Sequence, residues 1–165
     1  MEKKAHEDHD TTMQKLYKLL KDNDKAKLIY VPGGTDSQFL YDHDEHDEHK
    51  RAVNLHKNTY ELAEKLLIAG LGGSVPAVYH SYGDEGDFEG EKLGSYPYQD
   101  EFELQKDLDS FWHDKVMVKL DEGHQLVLLT HEGPSEWGTS QGHDSNGFYS
   151  SGSETLNSLL DEIQG

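Results

Sequence analysis

The sequence contains no cysteine, which removes disulfides, thiolate zinc sites and a cysteine nucleophile from consideration and is compatible with any redox compartment. Basic residues are scarce. Fifteen Lys and Arg stand against thirty-three Asp and Glu, a formal charge of -18. A field of that sign repels phosphate backbones and anionic headgroups, so nucleic-acid binding is disfavoured, and a basic protein surface is the partner the charge leaves open. The acids are spread along the chain, as on a solvated, self-repelling surface. No apolar run approaches the ~20 residues that span a bilayer. Met1 to Asp10 is charged, without the apolar segment of a secretory signal or the acid-poor character of a transit peptide. A soluble chain without membrane insertion is expected. Nothing decides between the cytoplasm, the default, an organelle interior and a cytoskeletal assembly. There is also no Gly-x-Gly-x-x-Gly opening a helix, no Walker lysine and no Gly-x-Ser-x-Gly elbow. The glycines of Gly70-Leu71-Gly72-Gly73 read as a tight bend after a core strand.

What is present suffices for one domain. A chain of 165 residues can bury roughly 70 % of its unfolded surface in a single core. After an acidic lead (1–10), Asp10 or Thr11 can cap a helix whose Met13, Leu16, Tyr17 and Leu20 follow helical spacing. Lys27 to Val31 reads as a buried strand stopped by Pro32-Gly33-Gly34. Residues 40–52 are low-complexity and charged, and are expected to form an exposed loop. Asn58 to Ala63 and Leu66 to Leu71 read as strands around a turn at Glu64-Lys65. Residues 74–99, rich in Gly, Ser, Tyr and acid, read as a long loop, and such loops border sites or interfaces. Its aromatics Tyr79, Tyr82, Phe88, Tyr96 and Tyr98 can pack back on the domain or dock a partner.

Asp100 with Glu103 resembles a capping box and opens a helix carrying Leu104, Leu108, Phe111 and Trp112 inward. Gln125 to Thr130 is a third central strand, followed by a second Gly/Ser-rich loop from Glu132 to Gly152. Ser153 caps a last helix with Leu156, Leu159, Leu160 and Ile163 on one face. Strands alternating with helices predict an α/β (α+β) architecture, a layered sheet with flanking helices, parallel or mixed.

Three blocks carry a family resemblance. Val31-Pro32-Gly33-Gly34-Thr35-Asp36, placed directly after a buried strand, resembles the Val-Pro-Gly-Asn-His-Asp motif of calcineurin-like metallophosphoesterases. Asn54-Leu55-His56 followed by Leu66 to Pro76 is similar to the segment after that motif in one branch of the family. Leu128 to Pro134 resembles its Thr-His-x-Gly-Pro turn. Together they cover roughly 28–152. The resemblance implies a metallophosphoesterase-like fold and a centre in which two divalent ions (Mn, Fe or Zn) clamp a phosphate ester and activate a water.

The departures from that pattern matter as much. The family's metal-ligating Asn falls on Gly34, and its transition-state-stabilising His falls on Thr35. Asp36 and His131 are retained, Asp36 being in the family more an orienting residue than a primary ligand. Nothing before Gly33 matches the family's Asp-x-His and Gly-Asp-x-x-Asp blocks. Gly142-His143-Asp144-Ser145 has Ser where a second His belongs. The implied reading is a truncated, non-catalytic domain that holds no cofactor and acts as a structural or interaction subunit of a larger assembly with protein partners. The alternatives are a metal-dependent phosphoesterase whose missing motifs lie outside this chain, and a His/Asp-rich metal-binding protein. For the last, His43, His46 and His49 among acids are the candidate ligands, suited to Zn, Cu or Ni. His56 and His124 carry no functional signal.

Overall fold

The computed structural model describes residues 14–23, 25–36, 38–42, 51–81, 91–92, 96–135, 141–143 and 147–164. They form a mixed α/β arrangement of several small sheets with helices. The first helix, α1 (14–22), buries Leu20, while Leu16 faces solvent. Strand β1 (Leu28–Tyr30) pairs in parallel with β2 (Ala52–Asn54). β3 (Asn58–Ala63) and β4 (Leu66–Leu71) form an antiparallel hairpin around Lys65, which takes φ 60. β4 then pairs in parallel with β7 (Gln125–Thr130) over its whole length.

The extension of β2 ties these pairs together. His56 bridges Gly70 in parallel, and the Lys57 N–H donates to the Gly70 carbonyl at 2.9 Å. β1, β2, β4 and β7 therefore all point their C-terminal ends the same way. Close approach is a condition of this join. A Cβ on Gly70 would lie 2.4 Å from Leu55 Cβ and 2.6 Å from its carbonyl oxygen, nearer than real Cβ atoms come.

Alternation decides which face of β4 is buried. Leu67, Ala69 and Leu71 point into the core, with Leu126 and Leu128 of β7 packed beside them. A helix covers that face. It runs as α3 (Glu101–Phe111), a π-helical turn (Trp112–Met117) and α4 (Val118–Asp121), burying Leu104, Leu108, Phe111, Trp112 and Val116. The wider π turn brings both Trp112 and Val116 inward. At its start Asp100 Oδ1 accepts from the Glu103 N–H at 2.9 Å, and Glu103 reaches back one residue beyond the cap, to the Gln99 N–H. The last helix, α5 (Glu154–Gln164), begins with Ser153 Oγ accepting from the Leu156 N–H and buries Leu156 and Leu159.

Several expectations need correction. The stretch 40–52 is not a loop at its ends: Leu40 is buried in α2 (Gln38–Asp42) and Ala52 is buried in β2. Hydrophobic burial of these two residues overrides the surrounding charge. The stretch 74–99 carries β5 (Val78–Ser81) and β6 (Glu91–Lys92), and 132–152 carries β8 (Gln141–His143) and β9 (Gly147–Ser150). These form a second, antiparallel sheet in the order β6-β5-β9-β8. Ile163 is 49 % exposed, not inward. The lead 1–10 and the histidines His43, His46 and His49 lie outside the described residues.

The tight join at Gly70 makes Gly70→Ala destabilising by about 1–3 kcal/mol, the usual cost of overpacking. Gly123, with φ +84 and nothing within 4 Å of an added Cβ, provides the contrast. Gly123→Ala costs about 1 kcal/mol from backbone conformation alone. Urea midpoints of the two variants measure the difference, and a Gly70→Ala midpoint at or above that of Gly123→Ala contradicts the packing argument.

Candidate functional site

In open sheets with parallel strands, ligands gather beyond the strands' C-terminal ends. Here those ends present the turn 33–36 after β1, His56 after β2, Gly72-Gly73 after β4 and His131 after β7. Backbone bonds lace them together. The Gly73 N–H donates to the Pro32 carbonyl at 2.8 Å, and the His131 N–H donates to the Leu71 carbonyl at 3.2 Å.

Gly33 is the centre of this edge. Its N–H donates to Asp36 Oδ2 at 2.7 Å, and its carbonyl accepts from the Asp36 N–H at 3.0 Å, so Asp36 closes the turn with both backbone and side chain. The ring of His131 lies against Gly33: a Cβ there would sit 2.6 Å from His131 Nε2. Asp36 and His131, 95 positions apart in sequence by their numbers, thus meet around one glycine. Between Gly33 and Asp36, Gly34 is half-buried without a side chain and Thr35 is exposed.

Tyr41 of α2 backs this turn. Its hydroxyl donates to the Gly33 carbonyl at 2.7 Å, with the Tyr96 carbonyl at 3.2 Å. Its ring stands edge-on to His56, at 4.9 Å, and to Tyr96, at 4.8 Å. Burial and the nearby Asp36 carboxylate push the Tyr41 phenol well above its ordinary range, so it stays a donor. These rings wall a pocket of about 410 Å³ together with Tyr98, with the Lys57–Asp107 ion pair, at 2.9 Å, among its lining residues. Of the aromatics in 74–99, then, Tyr96 and Tyr98 pack back on the domain, while Tyr82 and Phe88 lie outside the described residues.

His56 Nδ1 accepts from the Gly72 N–H at 3.1 Å, which leaves the ring proton on Nε2. Burial, followed by the Lys57 charge, lowers its pKa to about 4. It is a neutral ring that fixes the β4 end. Asn54, also buried, donates to the Leu40 carbonyl and accepts from the His56 N–H at 2.9 Å, which holds α2 against the same edge. His124 is bound elsewhere, against the Lys119 carbonyl at 2.9 Å.

No family model, no curated protein and no solved structure matches this chain. The site therefore has to be judged on its own donors. Among the described residues no group of three or more His, Asp or Glu is arranged to hold a metal ion. His143 lies on β8, in the antiparallel sheet, with its ring 5.6 Å from Phe148.

One member of the edge had no separate signal in the sequence. Glu132 sits inside the Thr-His-x-Gly-Pro turn at its variable position, yet it is 6 % exposed, with Oε2 accepting from the Val75 N–H at 3.2 Å. Burial, opposed by that bond and reinforced by Glu101, raises its pKa to about 7.

Glu132 and His56 act on stability with opposite sign. The folded state holds a proton on Glu132 up to about pH 7 while the unfolded chain releases it near 4.5, so this contribution is present at low pH and is lost as pH rises between those values. The fold keeps His56 neutral down to about pH 4, so its contribution is present above about 6.5 and is lost as pH falls toward 4. Glu132→Gln removes the first effect and leaves the second. At pH 8 the variant should be more stable than wild type by about 1–2 kcal/mol, solvent screening reducing the full linkage value, with the gap closing toward pH 4.5. Guanidinium midpoints across pH 4.5–8 test this, and superimposable profiles would refute a buried carboxyl at Glu132.

Proposed function

We propose that this chain is a metallophosphoesterase-like domain that has lost its hydrolytic centre and works as a structural or interaction subunit. The reading is supported by the placement of the three resembling blocks. Val31 to Asp36 follows β1, Asn54 to His56 closes β2, Leu66 to Pro76 covers β4 and its exit, and Leu128 to Pro134 covers the end of β7. All lie at one edge of the parallel strands, where such a centre would be assembled.

The observation that supports the loss is the sparse ligand set at this edge: among the described residues no group of three or more His, Asp or Glu is arranged to hold a metal ion. The Asp36 carboxylate accepts from the N–H of its own turn, and His131 is the ligand-type side chain that lies against Gly33. Zinc takes about four donors and manganese about six, so two ions need far more than this pair supplies. His56 adds nothing, because Nδ1 is engaged by Gly72 and Nε2 carries the proton. Gly34 has no donor atom, and the Thr35 hydroxyl is a poor substitute for an imidazolium in stabilising an anionic transition state. The described residues at this edge supply fewer donors than a two-metal group needs.

A domain that keeps its framework while losing its ligands retains a shaped, acidic surface. At a charge of -18 such a surface favours protein partners carrying basic residues over nucleic acid or anionic membranes.

Dialysed against Mn or Zn, the purified chain should retain clearly less than two equivalents and should not hydrolyse p-nitrophenyl phosphate. Gly34→Asn/Thr35→His should leave it inactive, since two side chains do not rebuild the ligand set. Elemental analysis showing two tightly held ions, together with turnover, would sink this reading in favour of a working phosphoesterase.

A further inference from the structure

We propose that the groove between α3 and α5 is a docking surface for a basic, amphipathic segment of a partner protein, an inference that rests on reading the domain as an interaction subunit. The groove is created by a cap that crosses between helices. Glu101, in the first turn of α3, takes the Ser153 hydroxyl at 2.9 Å, the Thr155 hydroxyl at 2.8 Å and the Glu154 N–H at 3.2 Å. A carboxylate at the start of α5 satisfies its free amides and suits the positive end of its dipole. The helices consequently set off side by side from one corner, and a cleft of about 320 Å³ opens along them.

The cleft has an apolar floor and an acidic rim. Leu108, Trp112 and Leu159 form the floor, and Asp109, Glu154 and Glu162 stand at the rim, with no Lys or Arg among the lining residues. No ion pair among the described residues engages these three carboxylates. Large apolar side chains are also exposed on the same two helices, Phe102 at 73 % and Ile163 at 49 %.

Charge complementarity selects the occupant. An acidic or neutral segment would leave the rim uncompensated or opposed, and a second copy of a chain at -18 would bring like charge against like. A segment with apolar residues along one stripe and Arg or Lys beside it satisfies both parts of the groove, which is the usual form of helix-in-groove recognition. Arginine suits the place best, because its planar head can pair with a carboxylate while its stem covers the apolar floor.

The test uses the full chain carrying Trp137→Phe, so that Trp112 is the one remaining indole, and a synthetic 18-residue peptide with leucine at helical spacing flanked by arginine. Titration should change Trp112 emission, and the binding should weaken as salt rises. Asp109→Lys/Glu162→Lys should weaken it at least tenfold, and the milder Asp109→Asn/Glu162→Gln about threefold. Glu64→Lys/Asp121→Lys, which changes net charge equally on exposed positions away from the groove, should leave it within about twofold. Equal weakening by both charge reversals, equal binding of a peptide with glutamate in place of arginine, or a dimer in sedimentation that the Asp109/Glu162 variants dissolve would each overturn the proposal. If the Lys pair melts early, the Asn/Gln pair decides alone. Phosphate-ester turnover by the same preparations would overturn the loss of catalysis and leave the groove standing, whereas failure to bind the peptide would do the reverse.

Discussion

Gly70 and Gly72 of the β4 end run so near their neighbours that a Cβ on either would lie 2.4 Å from Leu55 Cβ or 2.6 Å from the ring and carbonyl of Pro32. Everything at the sheet edge follows from that constraint. With β4 pressed against the β1 and β2 extensions, the Gly72 N–H reaches His56 and the Gly73 N–H reaches Pro32. The turn 33–36 is thereby held beside the end of β7, and His131 settles on Gly33 because nothing projects from that residue. A side chain at any of these positions would push apart strand ends whose separation defines the site.

The fold was legible wherever side-chain periodicity is long enough to leave a pattern. The strands Asn58–Ala63, Leu66–Leu71 and Gln125–Thr130 match their sequence reading in bounds, and the caps at Asp100 and Ser153 form as the residue types suggest, but β7 stands at the edge of the β3-β4-β7 sheet and not at its centre, since an apolar run does not tell which strands flank it. Periodicity fails for short elements. β6 spans two residues and β8 three, and β9 is Gly147-Phe148-Tyr149-Ser150, so their pairing comes from neighbours and not from their own composition. Gly142 shows how: an added Cβ would lie 1.9 Å from Tyr149, so the glycine leaves room for the ring of the residue opposite. Ile163 marks the other limit, since helical spacing predicts a face but not how far along the helix its neighbour extends.

The candidate site was legible in part for a related reason. Asp36 and His131 were visible as members of turns that follow strands, and their meeting at Gly33 requires only that β1 and β7 lie in the same parallel set. Tyr41, Asn54 and Glu132 were not visible as site residues. Tyr41 sits at the border of the acidic, His-rich stretch, and its role depends on α2 folding back over the turn. Glu132 looks like one acid among thirty-three until the Val75 N–H is found against it.

Glu132 also links the strand edge to the start of α5. Its backbone lies between His131, on the strand edge, and Gly133, whose carbonyl accepts from the Ser153 N–H at the start of α5. The charge of Glu101, which organises that same helix start, is one of the influences raising the Glu132 pKa. The Glu101 carboxylate accepts from four donors at the start of α5, whereas Glu132 is more deeply buried and accepts from the Val75 amide. Burial is the largest cause of the raised Glu132 pKa, with the Glu101 charge a smaller one. The strand edge therefore has beside it a carboxyl whose pKa burial raises to about 7, while Glu101 serves the corner from which the α3–α5 groove opens.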